Sequence, residues 1–381
     1  TGIVPPPPIV ENAIAERTAA FRVGPPLIAA SRIVDPVSAD DIIARGQVEA
    51  VGMTRALITD PELPRKAEEG RLDEILRCIG CNACIARYHA GLHIACAQNP
   101  RTGRERTFPP TAVDSPRRVA VIGGGPAGLA AAAEAAACGH DVVLYEREAR
   151  LGGQAALAGA APGHAELART LLANYTGLLA GVEVRLGAAA PENVEADAVV
   201  VATGAAPYTP PVDLTGVEVL QAWDVLRGRG PRGRRVVVAD WGGDASGLDA
   251  AEVLDRAGNT VTLALGSAAF GETLHQYQRN LYAARLYRAG IAVEQHLELA
   301  GTVAGGVLFR NVFAPELETA LPADILVLAL GRIPVRLAVA HPVVEEAGDC
   351  LSPRSLEEAI LEGTLAVRRA VQRAAVGSPS P

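Results

Sequence analysis

Between Val119 and Glu146 the chain joins an apolar run, a glycine turn and an alanine-rich stretch in an order that few folds accept. Val119–Ile122 reads as a buried strand. Gly123-Gly124-Gly125-Pro126-Ala127-Gly128 follows as a turn, Leu129–Cys138 as a helix, and Asp141–Tyr145 as a second strand. Each residue type in the turn has a reason. Gly123 permits the tight bend, Gly125 lets the backbone approach a pyrophosphate, and Gly128 lets helix and strand pack closely. The helix N-terminus then faces the phosphate charge. Glu146, at the end of the second strand, is placed to accept hydrogen bonds from ribose hydroxyls. The expected ligand is an ADP-containing cofactor, and the fold class is α/β.

The rest of the chain repeats this texture. A third strand, Asp197–Ala202, ends at Thr203-Gly204. A second unit of the same type begins at Arg234, with strands Val236–Ala239, Thr260–Leu265 and Asp324–Leu330, and a last helix runs from about Leu356 to Ala374. Two Rossmann-type units, the second inserted in the first, therefore account for residues 117–375. Leu151-Gly152-Gly153-Gln154, Ala202-Thr203-Gly204 and Gly348-Asp349 would each be a simple turn alone. Together and in this order they resemble the two-dinucleotide flavoprotein fold of the glutathione-reductase type. That resemblance implies FAD or ADP contacts from Gly123, Gly125, Gly128, Glu146, Arg147, Gly153, Gln154, Thr203, Gly204 and Asp349. The second unit's turn departs from the pattern. Aligned on Gly242 and Gly247, it carries Asp244 where the middle glycine belongs, with Asp240 nearby. A carboxylate there repels a pyrophosphate, so this unit is expected to keep the fold without the nicotinamide nucleotide.

Four of the six cysteines fall within nineteen positions, as Cys78-x2-Cys81-x2-Cys84-x11-Cys96. No export signal is expected ahead of them, so they read as metal ligands rather than disulfides. Three thiols on one tight loop and a fourth beyond it suit a [4Fe-4S] cluster. Zinc, with His89 or His93 as substitute ligands, is the alternative, although structural zinc sites usually pair their ligands on two separated knuckles. Cys138 and Cys350 are expected to be buried packing residues. The net charge of −8 and a single lysine, Lys66, argue against a nucleic-acid partner. The alanine-rich runs are too interrupted by charge and glycine to span a bilayer, and a cytoplasmic location is expected.

Ahead of the cysteines, Pro26–Ala30 and Val48–Met53 read as strands, Ser38–Arg45 as a helix, and Ile14–Phe21 as an amphipathic stretch that follows the run Pro5–Pro8. Ser31-Arg32 and Thr54-Arg55 stand at the elbows. Two such β-α units cannot close a sheet alone.

Taken with these units, "VGMTRALITDPELPRKAEEGR", "CIGCNACIAR", "VIGGGPAGLAAA", "LGGQ", "ATG" and "GDCLSPR" resemble one family over nearly the whole chain. It is the trimethylamine dehydrogenase, histamine dehydrogenase and 2,4-dienoyl-CoA reductase group, flavin and iron–sulfur relatives of old yellow enzyme. The resemblance implies four regions: 1–77 as the terminal β/α units of a flavin-binding TIM barrel, and 78–116 as iron–sulfur loop and linker. Residues 117–210 with 331–381 would be the FAD/ADP domain, and 211–330 the inserted, degenerate second domain. It implies FMN, its phosphate gripped near Ser31, Arg32, Thr54 and Arg55. About three quarters of the expected barrel is missing, so no substrate-level catalytic residue can be assigned. With Thr1 rather than Met at the start, the expectation is either a fragment or an oligomer in which a second polypeptide completes the barrel. The altered second nucleotide site resembles the amine-dehydrogenase branch, which oxidises a small amine and passes electrons to an electron-transferring flavoprotein. An NAD(P)H-dependent enoate reductase and a non-catalytic nucleotide-binding scaffold are the alternatives.

Overall fold

The computed structural model describes residues 4–7, 9, 11–21, 24–109, 115–241 and 243–377. Thr1, Pro8 and Gly242 lie outside the described residues.

The chain forms two compact units. The first takes the described residues up to Ala156, then Glu166–Ala205 and those from Pro334 onward; the second takes Leu157–Ala165 and Ala206–Ile333. The inserted unit is therefore longer than the 211–330 expected, and it captures a segment that sequence order assigns to the first dinucleotide domain. The capture has an apolar cause. Leu157 and Ala161 bury against Leu226, with Trp223 and Val253 packed alongside.

The first unit is built on a five-stranded parallel sheet. Its spatial order is Val344–Glu346, Ala198–Val201, Arg118–Ile122, Asp141–Glu146 and Glu183–Leu186. Val119, Val121, Leu144 and Val200 are fully or almost fully buried, as strands covered on both faces require. The helix Pro126–Ala137 is nearly all alanine for a packing reason. Small side chains let the helix Leu356–Gly377 cross it so closely that a Cβ on Gly363 would lie 2.0 Å from the Ala127 carbonyl oxygen.

Near its start the first unit carries a two-stranded parallel sheet, Ile28–Ala30 with Ala50–Gly52, in register Ile28↔Ala50. These strands are shorter than expected. The helix between them is Pro36–Ala44, starting two residues earlier than the sequence suggests. Asp35 caps it by accepting from Ser38 N–H at 3.0 Å, and Pro36 fills its first turn. Ala29, Ile33, Ile42 and Val48 close a small core around it.

The second unit repeats the parallel architecture in the order Ala292–Glu294, Thr260–Leu265, Arg235–Asp240, Ile325–Ala329 and Glu218–Gln221. It adds a three-stranded antiparallel sheet, Leu297–Val303, Gly306–Asn311 and Glu318–Pro322, which the sequence reading does not contain. The alternation that builds it is present in the residues: Leu297, Leu299, Val307 and Phe309 point into one core. No helix among the described residues is long and apolar enough to cross a membrane.

Candidate functional site

The glycine turn of the first unit has the geometry its residues demand. Gly123 sits at φ +110, and a Cβ there would meet the Ala202 carbonyl oxygen at 2.2 Å. A Cβ on Gly128 would lie 1.8 Å from the Gly123 carbonyl oxygen. Both glycines exist for backbone approach. Gly125 differs, because nothing lies within 4 Å of a Cβ built there. Open space at the start of the helix Pro126–Ala137 is where a pyrophosphate would sit.

Glu146 is 6% exposed, and both of its oxygens are held by backbone amides: Gly124 N–H donates to one at 2.7 Å and Glu148 N–H to the other at 2.8 Å. Each oxygen keeps a second lone pair for a ribose hydroxyl. Gln154 donates to Asp349 at 3.0 Å, and the other Asp349 oxygen accepts from Arg354 N–H at 3.0 Å. Gly153 packs beside the turn, with its Cβ position 3.1 Å from Gly125 Cα. The Thr203 hydroxyl donates to the Val335 carbonyl, and Val335 N–H donates to Gly204. Arg147 is the outlier of this group: it is exposed and stands 3.8 Å from Glu148.

The four clustered thiols line one cavity together with Arg55, Thr59 and Asn82. Cys84 is buried and the other three are half-buried. Burial and the neighbouring thiols push the Cys84 pKa up to about 11, against the opposing pull of the Arg55 guanidinium. Burial also raises Cys81 well above the ordinary thiol range, with Cys96, Cys78 and Cys84 adding to the effect. Both shifts favour the neutral thiol, so Cys81 and Cys84 ionise only if a cationic centre among them offsets the charge. N–H donors surround the sulfurs, including Gly80 to Cys78 at 3.5 Å and the amides of Gln98 and Asn99 at Cys96. The Thr59 hydroxyl lies 3.6 Å from Cys96 Sγ. Among the described residues no three His, Cys, Asp or Glu side chains gather so as to hold a single metal ion. Four thiols around a shared space, with amide donors aimed at them, fit a cluster that brings its own sulfides. His89 and His93 are exposed and do not line this cavity.

The four residues expected near an FMN phosphate lie at neighbouring strand ends but make different contacts. Ser31 and Thr54 remain near solvent at the ends of neighbouring strands, but the two arginines turn elsewhere. Arg32 is 4% exposed and donates to Glu166 and to the Ile9 carbonyl. Arg55 turns toward the thiols. A guanidinium at a strand end goes to whichever buried acceptor is within reach, and tertiary packing brought Glu166 and Asn82 there.

Asn82, Thr59, Gln98 and Tyr175 are site neighbours that the sequence reading omits. Asn82 had a visible signal. In Gly80-Cys81-Asn82, Gly80 and Asn82 adopt φ +66 and φ +60, and these two residue types tolerate that region best. Tyr175 and Gln98, which share a hydrogen bond of 3.2 Å, are 77 residues apart and carried none. Cys350 is fully buried, its thiol donating to Val201 and Ala347 carbonyls at 3.2 Å, and Cys138 is buried against Glu134.

In the second unit, Asp244 takes the place at the helix start. One of its oxygens accepts from Ser246 N–H at 2.7 Å, at the N-terminus of the helix Ser246–Arg256. Asp240 is 2% exposed and lies under the same turn, with a Gly247 Cβ position 2.7 Å from its carboxylate.

Two family models match the chain. Residues 117–350 match the family described as pyridine nucleotide-disulphide oxidoreductase, and residues 15–74 match the NADH:flavin oxidoreductase / NADH oxidase family. A metal reductase from Desulforamulus reducens is 40% identical over 245 residues, covering 61% of this chain and 36% of that protein. An N,N-dimethylglycine/sarcosine dehydrogenase from Chromohalobacter salexigens is 34% identical over 392 residues, covering 88% of this chain and 56% of that protein. A solved 6-hydroxypseudooxynicotine amine oxidase from Pseudomonas geniculata N1 superposes with a TM-score of 0.86 at 27% identity, over 94% of this chain and 59% of that one. The chain thus spans between about a third and three fifths of these relatives' lengths. It belongs to the pyridine nucleotide-disulphide oxidoreductase family, within the group of flavin oxidoreductases that joins this module to an NADH:flavin oxidoreductase segment.

Proposed function

We propose that the chain is the electron-carrying part of a flavin- and iron–sulfur-dependent dehydrogenase that oxidises a small amine. Cys78, Cys81, Cys84 and Cys96 would hold a [4Fe-4S] cluster, and the turn Gly123–Gly128 with Glu146 would hold FAD or ADP. A cluster bound there supplies one-electron transfer between a flavin and an external acceptor. The chain's residues do the rest: amide donors at Cys78 and Cys96 stabilise thiolates, and Glu146 orients a ribose. The observation that carries the reading is the convergence of four thiols on one cavity directly after the NADH:flavin oxidoreductase segment.

Ile28, in the first strand of the two-stranded sheet, is 66% exposed. The FMN ring site and substrate groups would therefore come from polypeptide that packs on this face, whether another segment or a partner chain. The acceptor would be an electron-transfer protein such as an electron-transferring flavoprotein. The carboxylates of Asp244 and Asp240 at the second turn favour this direction over hydride entry from a nicotinamide.

The competing reading, an NAD(P)H-dependent reductase, draws on the pyridine-nucleotide family match. Anaerobic stopped-flow mixing with NADH and with NADPH separates the two. The visible spectrum of the purified chain should show iron–sulfur absorption and stay unchanged on mixing. Rapid bleaching by either nucleotide would sink the amine-dehydrogenase reading, and a colourless protein would favour a nucleotide-binding scaffold.

A further inference from the structure

Pro5, Pro6 and Pro7 are buried, although proline usually stays at the surface. A proline run is suited to burial as an extended strip. It has no N–H groups to satisfy, and its φ is fixed at about −65°, so laying it against another surface costs little chain entropy. Carbonyls along the strip are met from both sides. Ile9 N–H donates to Pro6 at 3.0 Å, and Val4, just ahead of the run, accepts from Asn82 Nδ2 at 3.1 Å.

The surface these residues meet is the turn that carries Cys81. Gly80 and Asn82 flank that thiol, at φ +66 and φ +60. A Cβ on Gly80 would lie 2.9 Å from Pro7 Cδ, so the proline ring rests against bare backbone. Asn82 is 1% exposed, and its amide is divided between two neighbours, the nitrogen going to Val4 and the oxygen to Arg55. Pro7 and Val4 thus hold the turn on either side of Cys81, within the first unit. A group bound by a thiol leaves only through local opening, when the thiol can swing out and solvent can enter. For Cys81 that opening requires backbone 80–82 to shift, and both contacts resist the shift.

We propose that Val4–Pro7 is a strap that pins the turn Gly80–Asn82, and so controls access to Cys81 and the release of a cluster held there. The role in cluster release rests on the iron–sulfur reading above; the pinning of the turn does not.

Two variants loosen the strap from opposite ends. Pro7→Gly removes the ring that rests on Gly80. Asn82→Asp keeps an oxygen for Arg55 but has no N–H for the Val4 carbonyl, and Asp tolerates positive φ. In the reduced chain without iron, alkylation of Cys81 by iodoacetamide is followed by peptide mass spectrometry, with the fully buried Cys350 as reference. In the chain reconstituted with iron and sulfide, transfer of iron to a coloured ferrous chelator is followed anaerobically with dithionite present. Each variant should speed both processes about fivefold, comparable to the loss of one hydrogen bond. Cys350 alkylation and ADP affinity should stay at wild-type values. Unchanged Cys81 alkylation in both variants overturns the proposal. Acceleration shared equally by Cys350 reports general unfolding and overturns it as well. If the variants disagree, Pro7→Gly decides, because Asn82→Asp also places a charge beside Arg55. If Pro7→Gly does not fold, Asn82→Asp decides. Faster alkylation with unchanged iron transfer overturns the role in cluster release and keeps the pinning of the turn. A wild-type chain that takes up no iron and sulfide refutes the cluster reading, and Cys81 alkylation alone then decides whether the strap exists.

Discussion

One methyl group added at two neighbouring glycines should have opposite consequences. At Gly128 the new Cβ would lie 1.8 Å from the Gly123 carbonyl oxygen, and backbone on both sides cannot give way. Gly128→Ala should therefore cost about 3 kcal/mol in a denaturant titration. At Gly125 the backbone is extended, at φ −77, and nothing lies within 4 Å of the added atom. Gly125→Ala should keep stability within about 0.5 kcal/mol of wild type. Because the methyl projects into the open space where the proposed pyrophosphate would sit, ADP affinity measured by calorimetry should fall about tenfold or more, a loss of about 1.4 kcal/mol. Unchanged ADP affinity in Gly125→Ala would show that the nucleotide lies elsewhere. These glycines were readable from the chain because their constraint is local, a tight bend followed at once by a helix. Arg55 was not, because the end of a long flexible side chain is decided by whatever the fold brings within its reach.

Among the elements, the helix Pro126–Ala137 carries one acidic residue in its alanine surface. Glu134 is 5% exposed. Arg101 Nη2 donates to its two oxygens at 2.9 and 2.7 Å, and Arg368 Nε donates at 2.7 Å. The Phe108 ring lies 4.0 Å from the Arg368 guanidinium and 5.4 Å from that of Arg101. The knot joins three elements of the first unit: the segment that follows Cys96, the helix Pro126–Ala137 and the final helix Leu356–Gly377. Glu134→Ala would leave two guanidiniums facing each other with no carboxylate between them. It should cost about 3 kcal/mol, with Glu134→Gln costing less. Cleavage by a trypsin-like protease near Arg101 and Arg104 should accelerate in step with the loss. A stable Glu134→Ala protein with unchanged cleavage would show that apolar packing alone fixes this corner. The helices and parallel strands themselves were legible, since periodicity and buried valine runs announce them. The knot was not, because Arg101, Glu134 and Arg368 are spread over 268 positions.

At the scale of the whole molecule, the segment Leu157–Ala165 leaves its sequence neighbours and joins the inserted unit. A polar cluster seals it there. His164 Nδ1 lies 2.9 Å from Asp249, Tyr282 donates to the other Asp249 oxygen, and Arg285 pairs with Glu252 at 2.6 Å. Burial opposes a charge on His164, but the hydrogen bond and the charge of Asp249 outweigh it, with Arg285 opposing and Glu252 assisting. The net effect raises His164 above its ordinary 6.5. A pKa raised by folding contributes stability that is complete below the unfolded value and is lost as pH rises through the folded one. His164→Gln should consequently lose more stability against wild type at about pH 6 than at about pH 8.5, the charged pair being the difference. Equal losses at both would assign the role of His164 to packing alone.

The glycine turn, the helices and parallel strands around it, and the four-thiol spacing follow from residue order alone. Each is written in residues close together, whose backbone angles and periodicity leave few choices. Tertiary structure alone decided the capture of 157–165, the antiparallel sheet of the inserted unit, and the destinations of Arg32 and Arg55. Those outcomes depend on which apolar face finds a partner and which buried charge can be met. Only the folded chain settles them, because the groups involved are distant in sequence and meet only when the core closes.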